Sequence, residues 1–105
     1  MKTIAARQIP SYLREHPRAL LVDLRSRQAY LTEHVRGAVH IPYGALAASK
    51  NRLPGNVELI FYCERGGSAM AAARQMQESG WDTTAIIGTY EDISRLTETE
   101  SGYRI

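Results

Sequence analysis

The single cysteine of the chain, Cys63, lies in the segment FYCERGGSAM and is the residue best suited to covalent chemistry. A disulfide would need a second cysteine, and a buried structural thiol would not need glycines beside it. The run that follows Cys63 is polar and contains two glycines: Glu64, Arg65, Gly66, Gly67 and Ser68. Glycines leave backbone N–H groups uncovered, and such groups, together with those of a helix's first turn, bind anions. The pattern indicates a nucleophilic thiolate held by backbone N–H groups.

A second interpretation of Cys63 stays open on spacing alone. Unpaired cysteines are common in protein cores, and the two glycines could simply form a turn after a core strand. The neighbouring elements bear on the choice, because they decide whether the thiol ends a strand or is enclosed within one.

Four short apolar runs predict the strands of a sheet. They are nearly continuous, which is typical of strands covered on both faces in a parallel sheet. They span residues 19–24, 38–41, 58–63 and 84–87. Helices are predicted around them, at residues 10–16, 27–31, 43–47, 68–79 and 90–96. The helix at 68–79 has the clearest signals, because strong helix formers fill it and Gly80 follows as a left-handed C-terminal cap.

The alternation of strands and helices predicts one α/β domain over residues 1–105, with a mostly parallel central sheet and helices on both faces. Residues 49–56 are expected to form a surface loop. Residues 97–105 are polar and are expected to fray. In this arrangement Cys63 ends a buried strand at the carboxyl edge of the sheet, where open α/β sheets bind their ligands.

Composition and charge argue against several other classes of function. The net charge is only +2 over 105 residues, without the basic run that would bind nucleic acid. No apolar run is long enough for a membrane span, and the N-terminus lacks the apolar core of a signal peptide. We therefore expect a cytoplasmic protein whose lone thiol stays reduced. His34 and His40 have no metal-ligand motif beside them, so neither a metal nor another cofactor is expected.

Three segments, taken together, resemble the rhodanese family of sulfurtransferases, in its single-domain type. They are LLVDLRSRQAY, EHVRGAVHIPY and FYCERGGSAM, and they stand in the family's order and at its distances. The first carries an Asp-x-Arg signature at Asp23 and Arg25, and the third places Cys63 at the family's persulfide position. The resemblance covers roughly residues 20–93.

The resemblance implies sulfur transfer through a persulfide on Cys63. In the family, the cysteine attacks a sulfane-sulfur donor such as thiosulfate or a persulfide, keeps the outer sulfur, and passes it to a thiol, a protein acceptor or cyanide. The loop that would hold this sulfur consists of Glu64, Arg65, Gly66, Gly67 and Ser68. Arg36 matches a family position that contacts the anionic donor, although an exposed arginine beside a turn is the alternative. Arg65 is expected to help bind the donor through its positive charge in the loop. The resemblance makes Asp23 and Arg25 structural supports.

Departures from the family pattern keep other functions open. Related phosphatases and arsenate reductases use a Cys-x5-Arg loop, but the sixth residue after Cys63 is Ala69, which argues against that chemistry. Many single-domain rhodaneses carry an arginine near the position of Ser68, so a catalytically weak module for protein interaction is an alternative. A redox-sensing thiol is another, because exposed thiolates oxidise readily. The sequence leaves the physiological donor and acceptor, the pathway and the oligomeric state open.

Overall fold

The computed structural model describes residues 1–102, so the last part of the predicted fraying end, residues 103–105, lies outside the described residues. Its strands are β1 (Lys2–Ala5), β2 (Leu20–Asp23), β3 (His34–Val35), β4 (Val39–His40), β5 (Leu59–Tyr62), β6 (Thr83–Ile87) and β7 (Thr99–Glu100). Five of them form a parallel sheet in the order β1-β6-β5-β2-β4, and β3 and β7 form a separate antiparallel pair. The predicted α/β class with a mostly parallel central sheet is confirmed.

The helices begin and end at local sequence signals. They are α1 (Ile9–Glu15), α2 (Arg27–Thr32), α3 (Gly67–Glu78) and α4 (Tyr90–Leu96), with 3-10 helices at Ala6–Gln8, Tyr43–Ala45 and Ala47–Arg52. The hydroxyl groups of Ser26 and Thr89 accept backbone N–H hydrogen bonds from the first turns of α2 and α4. Beyond the end of α3, Gly80 has a φ of +101°, which is the predicted left-handed cap.

Each face of the sheet is covered by helices and has its own hydrophobic cluster. Helix α3 presents one stripe at helical spacing to the first face: Ala69, Ala72, Ala73 and Met76. This stripe packs against a cluster that includes Phe61 of β5, while the neighbouring Ile60 packs on the opposite face with Ile9 of α1 and Ile93 of α4. Because side chains alternate along a strand, β5 contributes to both clusters.

Sequence patterns missed three strands, which are short or peripheral. Strand β1 pairs with β6 at the edge of the sheet, with Ile4 opposite Ile86. Strands β3 and β7 have two residues each and depend on their mutual pairing, His34 with Glu100 and Val35 with Thr99. Segments this short carry no periodicity of their own, so only the tertiary pairing defines them.

Two predicted irregular segments are partly ordered. The expectation that the chain frays from residue 97 is wrong for Thr99–Glu100, because these residues form β7. The predicted surface loop at 49–56 is wrong in its first part, because Ala47–Arg52 forms a 3-10 helix in which Ser49 is buried. Its Oγ donates to the carbonyl of Ala45 at 2.8 Å, which satisfies this hydroxyl group locally.

Candidate active site

Cys63 follows β5 directly, at the carboxyl edge of the sheet, and packs with the cluster under α3. Its Sγ accepts hydrogen bonds from the backbone N–H groups of Gly66, at 3.0 Å, and of Ala69, at 3.3 Å. The residue is 4% exposed. Two oriented N–H groups therefore face the sulfur in a largely water-free position, where such dipoles act strongly on negative charge.

Gly66 gives the loop its shape. Its φ of +96° lies in the region that side chains rarely adopt, and it is the N-cap of α3. The turn directs its N–H back to Cys63, three residues earlier. Helix α3 begins at Gly67 rather than at Ser68, so the last two residues of the predicted loop already belong to the first helical turn.

The first residue of α4 and the glycine after β6 lie against the loop. The N–H of Tyr90 donates to the carbonyl of Glu64 at 2.9 Å. A Cβ added to Gly66 would lie 3.5 Å from both the backbone nitrogen and the carbonyl oxygen of Gly88. The loop is therefore bonded to the start of α4 and lies close to the backbone of Gly88.

A buried ion pair lies at the end of β2, next to this loop. The register of β2 and β5 places Asp23 opposite Tyr62, whose hydroxyl donates to Asp23 Oδ2 at 2.6 Å and accepts from the N–H of Val35 at 3.1 Å. Arg25 Nη2 lies 2.8 Å from Asp23 Oδ2, and the backbone N–H of Arg25 donates to Asp23 Oδ1 at 2.8 Å. Every charged or polar group of this set therefore has a partner within the set or on the backbone.

The protonation states of this group follow from burial and charge. Burial first, and then the charge of Asp23, raise the pKa of Tyr62, so the phenol stays protonated and donates. Burial lowers the pKa of Arg25, but the hydrogen bonds and charge of Asp23 raise it by more, so its pKa is raised overall. Arg25 therefore stays protonated, and its guanidinium is held 2.8 Å from Asp23 Oδ2.

A cleft of about 520 Å³ opens beside the loop, lined among others by Arg25, Gln28, Thr32, Glu33, Glu64 and Tyr90. The Arg25 guanidinium carbon lies 3.6 Å from the centroid of the Tyr90 ring, and the Tyr90 hydroxyl donates to Glu33 Oε1 at 2.9 Å. Burial first, and then this hydrogen bond, raise the pKa of Tyr90. Cys63 does not line the cleft, but Glu64, the next residue in the chain, does.

A family model described as the rhodanese-like domain matches residues 9–96. The chain belongs to the rhodanese-like domain family.

Curated relatives of this rhodanese-like domain are similar at modest identity. The domain is 34% identical over 61 residues to the candidate sulfur carrier protein YrkF of Bacillus subtilis, with 58% of this chain and 33% of that protein covered. It is 25% identical over 73 residues to the thiosulfate sulfurtransferase GlpE of Coxiella burnetii, with 69% and 68% covered. The chain thus spans about a third of the length of YrkF.

The rhodanese-like domain protein of Staphylococcus aureus has a similar solved structure. It aligns with a TM-score of 0.84 at 20% identity, over 96% of this chain and 98% of that one. At this identity the likeness shows the fold, and it agrees with the family expected from the sequence motifs.

The structure places the predicted site residues of the domain in two regions. Glu64 lies on the cleft, and Arg65 is exposed next to it, without an ion pair among residues 1–102. Ser68 is half-buried in the first turn of α3. Arg36, by contrast, pairs with Glu98 at 3.0 Å and lines a different cavity, beside α1. A donor-binding role for Arg36 stays a prediction that its position does not support.

Sequence reasoning missed several residues of the site. Ala69 stands where the related phosphatases have an arginine, but in this structure its N–H donates to the sulfur of Cys63. This hydrogen bond could have been expected, because the N–H groups in the first turn of a helix have no partner within the helix. The hydrogen bond of Tyr62 to Asp23 was also missed, although a buried phenol needs a hydrogen-bond partner and Asp23 ends the neighbouring strand. The contact of Tyr90 with Glu33 had no sequence signal, because the two residues are far apart in the chain.

Two further features of the described residues bear on function. Within residues 1–102, no His, Cys, Asp and Glu side chains form a group of three that could hold a metal ion. None of the helices in this part of the chain combines the length and apolar character needed to cross a bilayer.

Proposed function

We propose that this rhodanese-like domain is a sulfurtransferase that carries sulfane sulfur as a persulfide on Cys63. The observation that carries the proposal is the pair of backbone N–H groups, from Gly66 and Ala69, that donate to Sγ at the carboxyl edge of the sheet. The name of a relative, the thiosulfate sulfurtransferase GlpE, supports the reaction class. A thiol of this kind needs a reducing compartment, so the proposal includes a cytoplasmic location.

The first half-reaction loads sulfur onto the enzyme. The Cys63 thiolate attacks the outer sulfur of thiosulfate, an Sγ–S bond forms, the S–S bond of thiosulfate breaks, and sulfite leaves with the electron pair. The N–H groups of Gly66 and Ala69 favour the thiolate and stabilise the anionic persulfide that replaces it. The proposed step starts from the thiolate and uses no general base.

The second half-reaction unloads the sulfur. An acceptor thiolate, or cyanide, attacks the outer sulfur of the persulfide, a new bond to sulfur forms, and the Cys63 thiolate leaves with its electron pair. The same N–H groups then stabilise the leaving thiolate. In this proposal Arg65 attracts the anionic donor from its exposed position, while Asp23 and Arg25 support the scaffold beneath the loop.

A second candidate function is a rhodanese-like module without turnover, used for protein interaction. The observation that favours it is the 4% exposure of Cys63, since a donor must reach a sulfur that is nearly covered. Ser68 adds to it, because a cation at that position would attract an anionic donor and a hydroxyl does not.

Steady-state transfer of sulfur from thiosulfate to cyanide separates the two functions. The sulfurtransferase proposal expects thiocyanate to form catalytically, with many turnovers per chain, and expects Cys63→Ser to abolish the reaction. Ser79→Ala is a matched control, because it also changes a small polar side chain but lies at the far end of α3. Absence of turnover with thiosulfate and with a small-molecule persulfide would favour the interaction module.

A further inference from the structure

Carboxylates dominate the charge of the cleft beside the nucleophile. The Arg25 guanidinium lines this cleft. It is paired with Asp23 at 2.8 Å and lies against the ring of Tyr90. Glu33 presents a carboxylate that accepts from Tyr90. Glu64 brings a further carboxylate within 4.0 Å of Arg25. The cleft lining therefore has two carboxylates, Glu33 and Glu64, and one guanidinium, whose charge is already compensated by the buried Asp23.

Glu64 is the carboxylate best placed to meet a substrate. It follows Cys63 directly in the chain, its side chain is 64% exposed, and its backbone is fixed by the hydrogen bond from the Tyr90 N–H. Its contact with Arg25 is long, at 4.0 Å, and Arg25 already has a closer partner in Asp23. The charge of Glu64 is therefore only partly compensated within the protein.

We propose that Glu64 is a specificity-determining residue that makes the site prefer a sulfur acceptor whose thiol is carried beside a cationic group, such as an aminothiol or a cysteine flanked by lysine or arginine. The inference rests on the proposed sulfurtransferase function. The cleft, at about 520 Å³, has room for a small thiol or for one or two side chains of a larger acceptor. An ammonium or guanidinium group of the acceptor pairs with Glu64, which brings the neighbouring thiolate towards the persulfide on Cys63.

The chemistry of the transfer is unchanged by this preference. The acceptor thiolate attacks the outer sulfur, the new S–S bond forms on the acceptor, and Cys63 leaves as the thiolate. Glu64 takes no part in bond making, so its effect is electrostatic and falls with added salt. Arg65 has the opposite charge but does not line the cleft, so it acts on a donor arriving from bulk solvent rather than on an acceptor in the cleft.

A single-turnover experiment tests the inference. The protein is first loaded with sulfur, loading is verified by intact mass, and discharge is then timed with cysteamine, with neutral 2-mercaptoethanol and with anionic 3-mercaptopropionate. The ratio of the cysteamine rate to the 3-mercaptopropionate rate is compared between proteins, so that the intrinsic reactivity of each thiol cancels. For Glu64→Gln we expect this ratio to fall roughly 3- to 10-fold at low salt, and the difference from wild type to shrink at moderate salt.

Two variants make the result specific. Glu91→Gln removes the same charge from a carboxylate that is 71% exposed on α4 and does not line the cleft, so its ratio should match wild type. Glu64→Asp keeps the charge and should retain most of the preference. Equal ratios in wild type and Glu64→Gln, with normal loading, would overturn this inference and leave the sulfurtransferase proposal standing. Failure of Cys63 to load would overturn both.

Discussion

The two adjacent glycines of the loop provide a sharp test, because the structure gives them opposite roles. Gly66 has a φ of +96° and is buried, whereas Gly67 is the exposed first residue of α3, and a Cβ added there would meet nothing within 4 Å. Gly66→Ala should therefore destabilise the protein, and Gly67→Ala should be neutral or stabilising. Both variants keep the backbone N–H groups that face Cys63.

The magnitude follows from backbone conformation. A left-handed conformation costs an L-residue roughly 1–2 kcal/mol, and Gly66→Ala incurs this cost. Either glycine-to-alanine change also reduces the entropy of the unfolded chain, which stabilises by about 0.4–1 kcal/mol at a compatible site. This second effect is common to both variants and cancels between them. The free energy of unfolding of Gly67→Ala should therefore exceed that of Gly66→Ala by about 1–2 kcal/mol.

Urea unfolding followed by circular dichroism gives both free energies, with wild type as the reference. The sulfur-loading rate provides a second readout, because a strained Gly66→Ala loop aims its N–H groups less well at Sγ. Loading should slow in Gly66→Ala and stay near wild type in Gly67→Ala. If both variants have the same stability, the positive φ at Gly66 does not constrain this loop and the reasoning is refuted.

Three further predictions concern the surroundings of the site. Tyr62→Phe removes the hydroxyl that bridges Asp23 and the Val35 N–H, so it should lower the free energy of unfolding by about 1.5–3 kcal/mol. Tyr43→Phe, at an exposed tyrosine, should change the free energy of unfolding by less than about 0.5 kcal/mol. Similar effects of the two substitutions would contradict a stabilising role for the Tyr62 hydroxyl. Burial raises the pKa of Tyr62 in the folded protein, so the contribution of its phenol to stability is present below the unfolded pKa of about 10 and is lost as pH rises above that value. The urea midpoint should therefore fall at alkaline pH, and it should fall less steeply in Tyr62→Phe than in wild type. Equal slopes in the two proteins would contradict this prediction. Arg65→Ala should lower kcat/KM for thiosulfate at low salt. Arg36→Ala removes the same charge from a side chain that is paired with Glu98, so it should lower kcat/KM by less. A larger loss in Arg36→Ala than in Arg65→Ala would instead support Arg36 as the donor-binding residue.

The central part of the fold could be predicted from sequence because its signals are local. The apolar runs that form β2, β5 and β6 are buried on both faces, and such runs report a strand without knowledge of its partners. Helix α3 was predicted to within one residue, since its alanine-rich stripe and Gly80 are properties of one continuous segment.

The missed parts of the fold depend on contacts between distant segments. The pairing of His34 with Glu100 joins residues that are 66 positions apart, and neither strand has enough residues to show a period. Glu100 also accepts a hydrogen bond from the N–H of Gly37, and this hydrogen bond is the main cause of the lowered pKa of Glu100. A polar C-terminal composition therefore predicts fraying, while the structure uses the same polar groups as hydrogen-bond partners.

The backbone N–H groups around Cys63 were predictable from the sequence, but the charge balance of the neighbouring cleft was not. Cys63, Gly66 and the helix that follows are contiguous, so the segment itself indicates N–H groups around a sulfur. Whether Arg25 is available to a substrate is decided by Asp23 and Tyr90, whose positions come from the register of β2 with β5 and from the start of α4. The net charge at a site depends on residues from several segments of the chain, whereas a sequence motif contains the residues of one segment only.

The most direct test of the central claim is an intact-mass spectrum of the protein after incubation with thiosulfate, or with a small-molecule persulfide, followed by removal of the donor. The account predicts the addition of one sulfur atom per chain, absent in Cys63→Ser and lost on treatment with a thiol reductant. Return of the original mass with an acceptor thiol should coincide with the appearance of the acceptor persulfide. A protein that gains no sulfur from either donor, while Cys63 still reacts with an alkylating reagent, would contradict the account.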